Sequence, residues 1–220
     1  MDYETLDVLY RSRKTLLKLL AMRGYATKQY EKFGPIEIAA MAAASLGTTG
    51  TGAFRMDLER APADGQTITK CRVEYSINRI KNRIPGFLDA LTEEGNEAAV
   101  TTEDTELIVI LLEPVVETFH IASLNALATK SLHVSFFQAH TIVNNPLEHV
   151  LVPKHEVLPS SEHAAFLTDH KIKSKSNLPL IKFHEDMIAR VIGLLPGDIV
   201  KITRPSPSAG EYISYRVCVP

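Results

Sequence analysis

The chain has 220 residues, 45% of them apolar and 23% charged, enough to bury one large core or two small ones. A formal net charge of -2 and a pI near 6.4 argue against a free-standing nucleic-acid binder, so any contact with DNA has to come from a local patch. The only cysteines, Cys71 and Cys218, lie too far apart for a zinc-ligand pair or a disulfide framework, which fits a reducing compartment.

Leu6, Leu9, Leu16, Leu17 and Leu20 recur at helical spacing, with Arg11, Lys14 and Lys18 largely on the other side, and Gly24 supplies a stop. The spacing predicts an amphipathic helix over 3–22. The charges within it exclude the uninterrupted apolar core of a signal peptide. An alanine-rich helix is predicted from about Ile36 to Leu46, followed by Gly47 to Gly52, read as a flexible loop because it lacks the Lys-Ser/Thr of a phosphate-binding loop.

Phe54, Met56 and Leu58 alternate with polar residues, as do Thr69, Cys71, Val73 and Tyr75, and Ala61 to Gly65 between them reads as a turn. The pattern predicts an antiparallel hairpin. From Ser76 the spacing turns helical through Ile77, Ile80 and Ile84, with Pro85-Gly86 as a break before Phe87, Leu88 and Leu91. Arg79, Lys81 and Arg83, with Arg72 nearby, form the densest basic cluster of this half, by default a solvated helix face that can aim a subset at phosphates. The apolar run Leu107–Leu112 is too short to cross a bilayer, which takes roughly 20 helical residues, and reads as a buried strand. A helix over about Val115 to Thr129 follows. Val134, Phe136 and Phe137, then Ile142 and Val143, suggest two more short strands or a strand and a turn.

Strands and helices intermixed over this stretch predict an α/β domain with a mixed sheet at 1–146, and Asn144-Asn-Pro146 marks the boundary. Residues 147–220 read as a small α+β module. Its predicted parts are a short helix from Ser160 or Ser161, another from Glu185-Asp186, a turn at Leu195 to Asp198, a strand from Ile199 to Arg204 stopped by Pro205, and a final strand with Ile213, Tyr215, Val217 and Val219 on one face. So small a module buries little by itself and leans toward a partner.

Three stretches of that module resemble the fifth subunit shared by eukaryotic RNA polymerases I, II and III, whose C-terminal domain corresponds to a small subunit of the archaeal enzyme. They are Leu151-Val-Pro-Lys-His155; Leu178-Pro with Ile181, leading into Ala189-Arg190 and Gly193-Leu194; and Gly197-Asp-Ile-Val-Lys-Ile202, running through Arg204-Pro-Ser206 and Ala209-Gly210 to Tyr212 and Ser214-Tyr-Arg-Val217. In the first half, Leu16 to Tyr25, ending Met22-Arg-Gly-Tyr25, and Val134 to Asn144 resemble the eukaryotic version's extra domain. The sequence departs from the family where Leu178-Pro-Leu-Ile181, Asp186-Met187 and Leu195-Pro-Gly197 replace more basic or proline-bearing patterns, as a polymerase-specific paralogue would.

The resemblance implies a non-catalytic nuclear subunit. Its second domain would dock on the largest subunit beside other polymerase subunits, and its first, jaw-like domain would lie near downstream duplex DNA, held weakly and only in the assembled complex. The candidate docking residues are Pro153, His155, Pro179, Ile181, Arg190, Lys201, Arg204, Pro205, Tyr212, Tyr215 and Arg216. Prolines pre-set the backbone, arginines present forked donors, and the two tyrosines point to opposite faces of one strand. An exposed edge at the final strand would also accept a partner strand. The DNA-proximal candidates are Arg72, Arg79, Lys81, Arg83, Pro114 and Thr118.

No catalytic residue, metal or cofactor is called for. His184-Glu-Asp186 is the nearest approach to a metal cluster and lacks the spacing, and Lys171 to Lys175 reads as a basic flexible loop. The acids Asp57, Glu59, Asp64 and Glu74 could imitate a magnesium-dependent nuclease, and an interaction protein borrowing the module is the other alternative.

Overall fold

The structure is a computed structural model that describes residues 2–45, 54–61, 68–92, 100 and 104–220. The described residues fall into two compact units that divide between Asn144 and Asn145. The Gly47–Gly52 segment and Asp64 lie outside the described residues.

The first unit begins with helix α1 (Tyr3–Met22), whose Asp2 caps it by accepting from the Thr5 amide, and continues with α2 (Pro35–Ser45). Its sheet holds β1 (Met56–Glu59), β2 (Lys70–Ser76), β3 (Thr105–Leu111) and β4 (His133–Gln138) in the order β1-β2-β3-β4. The β1–β2 pair is antiparallel with Met56 opposite Val73, and β2–β3 and β3–β4 are parallel, so the sheet is mixed. Helices α3 (Ile84–Thr92) and α4 (Glu117–Lys130) make the two parallel crossovers.

Ile84, Leu88 and Leu91 of α3 and Phe119 and Ala126 of α4 pack on Leu107, Val109, Leu111, Val134 and Phe136, one face of the sheet. All of β3 is buried, which is why Leu107 to Leu111 reads as an unbroken apolar run.

The other face carries a polar latch. Arg23, the residue after α1, places Nη2 2.6 and 2.7 Å from the two carboxylate oxygens of Glu106 on β3, and the Tyr25 hydroxyl donates to Glu106 at 2.9 Å. Gly24 between them has φ +87, a backbone conformation that glycine adopts without a Cβ penalty. Burial by itself would raise the Glu106 pKa, and the charge and hydrogen bonds of Arg23 overcome it and hold the carboxyl below its usual range. Beside it, burial pushes His133 down to about 4.

One expectation fails in this unit. Residues 77–83 are a loop and not a helix, because the helix starts at Ile84 with Pro85-Gly86 inside its first turn, where a proline without an N–H is favoured. Of the two readings left open for Val134 to Val143, two short strands or a strand and a turn, the structure shows the second: β4 is followed by a 3-10 turn, Ala139–Ile142.

The second unit is a sheet in the order β5-β7-β8-β6, from β5 (Lys154–Val157), β6 (Leu180–Lys182), β7 (Ile199–Ser206) and β8 (Gly210–Val219), with α5 (His163–Asp169) and α6 (Met187–Ile192). Sequence reading found β7 and β8 and missed β5 and β6. Strands of four and three residues carry too little alternation to register. Phe166 of α5 packs with Leu178, Ile199 and Val217 on one sheet face. Asp186 caps α6 by accepting from the Ile188 and Ala189 amides at 2.8 and 3.1 Å.

Pro205 does not stop β7. It sits beyond the last β5 pairing, Lys154 with Thr203, where its missing N–H breaks no ladder bond. Lys175, placed by sequence in a loose basic run, is pinned instead, with Nζ 2.8 Å from both the Gly197 carbonyl and His163 Nδ1.

Candidate docking and DNA-facing surfaces

In the second unit the β7–β8 register sorts the candidate docking residues by face. Directly opposed residues of an antiparallel pair share a face, so Arg204 with Tyr212, Ile202 with Ser214 and Val200 with Arg216 lie on one side, joined by His155, which opposes Ile202 from β5. At the outer end of this face Arg204 and Tyr212 are exposed, Tyr212 by 60%. On the reverse face Lys201 opposes Tyr215 and Glu156, and the Tyr215 ring lies 4.4 Å from Phe166 and 5.3 Å from His170. The two tyrosines therefore divide as strand alternation requires, one inward and one outward.

Several candidates serve the unit's own fold. Arg216 donates through Nη1 to the Leu180 carbonyl at 2.9 Å, fastening β6 to the sheet. The Pro179 carbonyl accepts the Val217 amide at 2.9 Å, Ile181 is buried opposite Cys218, and the Pro153 carbonyl lies 2.7 Å from His155 Nδ1. Burial lowers the pKa of Arg190, opposed by the charge of Asp186.

The expected open edge on the final strand is cut short. β7 lies along one side of β8, and β6 covers the other at Val217–Val219, so among the described residues only the stretch before Val217 lacks a second neighbour. Pro179, which has no N–H, ends the β6 ladder there.

The most exposed aliphatic side chains of this unit are Val150 (97%), Leu151 (84%), Leu180 (54%) and Ile213; sequence reading named Ile213 on the apolar face of the final strand and did not single out the other three as partner-facing. Leu151 heads one family-like stretch and Leu180 stands in another. The signal for Val150, Leu151 and Leu180 was an apolar residue in a proline-punctuated segment with no periodic companion to bury it.

In the first unit, the parallel β2 and β3 end side by side at Ser76 and Leu111, and the loops that leave them meet. Arg79, Lys81, Asn82 and Arg83 from one loop and Glu113, Pro114 and Val116 from the other line a cleft of 880 Å³. The carboxyl ends of parallel strands are where open α/β sheets hold ligands, because the loops there splay apart. Glu113 Oε1 accepts the Ile80 and Lys81 amides at 2.7 and 3.1 Å, holding the basic loop in place. Arg79, Lys81 and Arg83 are exposed and make no ion pair among the described residues.

Thr118 stands on the adjoining surface with Lys81 and Asn82. Arg72 does not join this group. It lies within β2 and pairs with Asp57 at 2.5 Å.

Of the acids weighed for a nuclease, Asp57 pairs with Arg72, and Glu74, wholly buried, pairs with Arg55 at 2.7 Å. Among the described residues no group of three His, Cys, Asp or Glu side chains could hold a metal ion, and no helix is long and apolar enough to cross a membrane.

Comparison with known proteins matches residues 144–218 to the RNA polymerase Rpb5 C-terminal domain family. Over 222 aligned positions the chain is 31% identical to DNA-directed RNA polymerases I, II, and III subunit RPABC1 of Caenorhabditis briggsae, covering 96% of this chain and 95% of that protein. It is 53% identical over 72 residues to DNA-directed RNA polymerase subunit Rpo5 of Archaeoglobus fulgidus, 33% of this chain and 92% of that one. A two-unit chain with a mixed α/β fold, matched end to end by such a relative, belongs to the Rpb5 family of DNA-directed RNA polymerase subunits.

Proposed function

We propose that this chain is a non-catalytic structural subunit of a nuclear DNA-directed RNA polymerase. It docks on the largest subunit through the second unit and forms part of the lower jaw, beside downstream duplex DNA, with the first. The observation that carries the docking half is the exposure of Val150, Leu151, Leu180 and Tyr212 in or beside the very stretches that resemble the family. Apolar and aromatic side chains left outside so small a unit favour burial against a partner. Arg204, beside Tyr212, adds a forked donor for a partner's carboxylate or carbonyl.

The DNA-facing half draws on the Arg79–Lys81–Arg83 loop, whose cations make no ion pair among the described residues. They would act on phosphates, without reading sequence. At a net charge of -2 the isolated chain should bind duplex poorly at physiological salt. The assembled polymerase raises the local concentration of DNA so that weak contacts count.

Affinity purification of the tagged chain from nuclei tests the reading. One copy per polymerase, with the largest subunit retained in high salt, is expected. Recovery in substoichiometric amounts would instead favour an interaction protein that borrows the module.

A further inference from the structure

Among the described residues, one buried cation of α1 has no ion-pair partner. Arg13 is 3% exposed, and among the described residues no carboxylate lies within ion-pair distance of it. Its Nη1 donates to the Phe54 carbonyl at 3.0 Å, while its buried Nε has no partner among the described residues. A guanidinium stays protonated in proteins, so burial leaves a full charge that its surroundings must offset. The rings of Tyr30, Phe33 and Phe54 stand 5.8, 5.8 and 5.9 Å from the guanidinium carbon and supply cation–π attraction, a weaker substitute for an anion.

Arg13 lines a cavity of 360 Å³. Tyr10, Arg13, Lys14, Leu17 and Lys18 form one side of it, spaced to share a helix face, and Tyr30, Glu31 and Phe33 form the other. The second wall is fixed in place. The Tyr30 hydroxyl donates to the Asp57 carbonyl at 3.1 Å and accepts the Asp57 amide at 3.0 Å, and the Glu31 carboxylate accepts from the Thr27 hydroxyl at 2.6 Å. Lys14 and Lys18 are exposed and unpaired among the described residues. Three cations and one carboxylate, hydrogen-bonded to Thr27, thus converge on an aromatic-lined space, which leaves the lining net positive.

We propose that this cavity binds a small aromatic phosphate, a nucleoside monophosphate being the simplest. The phosphate supplies the counter-charge that Arg13 lacks, with Lys14 and Lys18 beside it, and the planar ring stacks on Tyr30 and Phe33 of the facing wall. A bare phosphate would leave the aromatic surface uncovered, whereas the volume falls at the small end of the roughly 300–1,000 Å³ typical of ligand pockets. The site is independent of the polymerase reading, since none of these residues belongs to either proposed surface.

The test is calorimetric titration of the full chain with adenosine monophosphate, against adenosine and inorganic phosphate, with thermal unfolding measured alongside. Saturable binding of adenosine monophosphate and a raised midpoint are expected. Adenosine and phosphate should each bind at least roughly tenfold more weakly. Paired Lys14→Gln and Lys18→Gln changes, both at exposed positions, should weaken binding by roughly tenfold or more while leaving the ligand-free midpoint unchanged. Arg13→Met should abolish binding, because it removes the guanidinium that receives the phosphate. Absence of binding by the wild-type chain at millimolar ligand, or undiminished binding by the paired lysine variant, would overturn the proposal, and the lysine variant decides even if Arg13→Met does not fold.

Discussion

The two units use the same residue types in opposite ways. In the first, the Arg and Tyr of Met22-Arg-Gly-Tyr25 turn inward and close on Glu106, a carboxylate buried to 3% exposure. In the second, Arg204 and Tyr212 sit opposite one another at the end of a hairpin and face outward. The size of the core behind them accounts for the difference. The first unit covers its sheet on both faces and can enclose an ion pair whose geometry satisfies both partners. The second, with helices of seven and six residues, leaves the outer end of one sheet face bare. The motif of the first unit is thus taken up inside its core, whereas the second leaves Arg204 and Tyr212 of its motif outside, beside others such as Arg216 that it uses internally.

The sharpest way to break this comparison is to open the latch. Arg23→Ala leaves Glu106 buried and uncompensated and should destabilise the chain by about 3–5 kcal/mol, read by urea denaturation. A loss no larger than that of Arg204→Ala would erase the distinction between the units.

The pH dependence of stability comes next. His133 has a folded pKa of about 4 against an ordinary 6.5. The unfolded chain therefore binds the extra proton first, and stability falls as pH drops from 6.5 toward 4. The full effect is on the order of 3 kcal/mol. Glu106, also depressed, acts with the same sign, its contribution being lost as pH falls through its folded pKa. His133→Leu should flatten the upper part of that slope in denaturation midpoints measured from pH 7 down, and an unchanged slope would remove His133 from the account.

Arg204→Ala and Tyr212→Ala should do the reverse of Arg23→Ala. Incorporation into polymerase should weaken by about 2 kcal/mol each, and the stability of the free chain should change by less than about 0.5 kcal/mol. Tyr215→Ala, which uncovers Phe166, should show mainly a stability loss.

The smallest effect belongs to the basic loop. Changing Arg79, Lys81 and Arg83 together to Ala should shorten elongation-complex lifetime and lower its salt slope by about one unit for each phosphate that is no longer neutralised. Identical lifetimes and slopes at every salt concentration would make the loop an ordinary solvated turn.

Long periodic segments were legible from the residues alone. The leucine spacing of α1, the alternation of β2 and the apolar run of β3 each announce an element through burial of many side chains at once. Short or interrupted elements were not. Three isoleucines at helical spacing suggested a helix across residues 77–83, where the chain instead forms a loop tied down by Glu113, a residue more than thirty positions away. β5 and β6 exist because β7 and β8 present edges to them, which no local pattern reveals.

By itself the sequence determined the α/β character of the first half, a change of texture near Asn144 and a family resemblance concentrated in the last third. Those follow from side-chain period, turn residues and the order of short motifs, all local quantities. Only the tertiary structure decided which charges are fasteners and which are free. It joined Arg23 to Glu106 across 83 positions, took Arg72 away from the basic cluster to pair with Asp57, and gave Arg216 to the Leu180 carbonyl. An ion pair or cross-strand hydrogen bond depends on distances set by the packing of the whole unit, and spacing along the chain does not encode them.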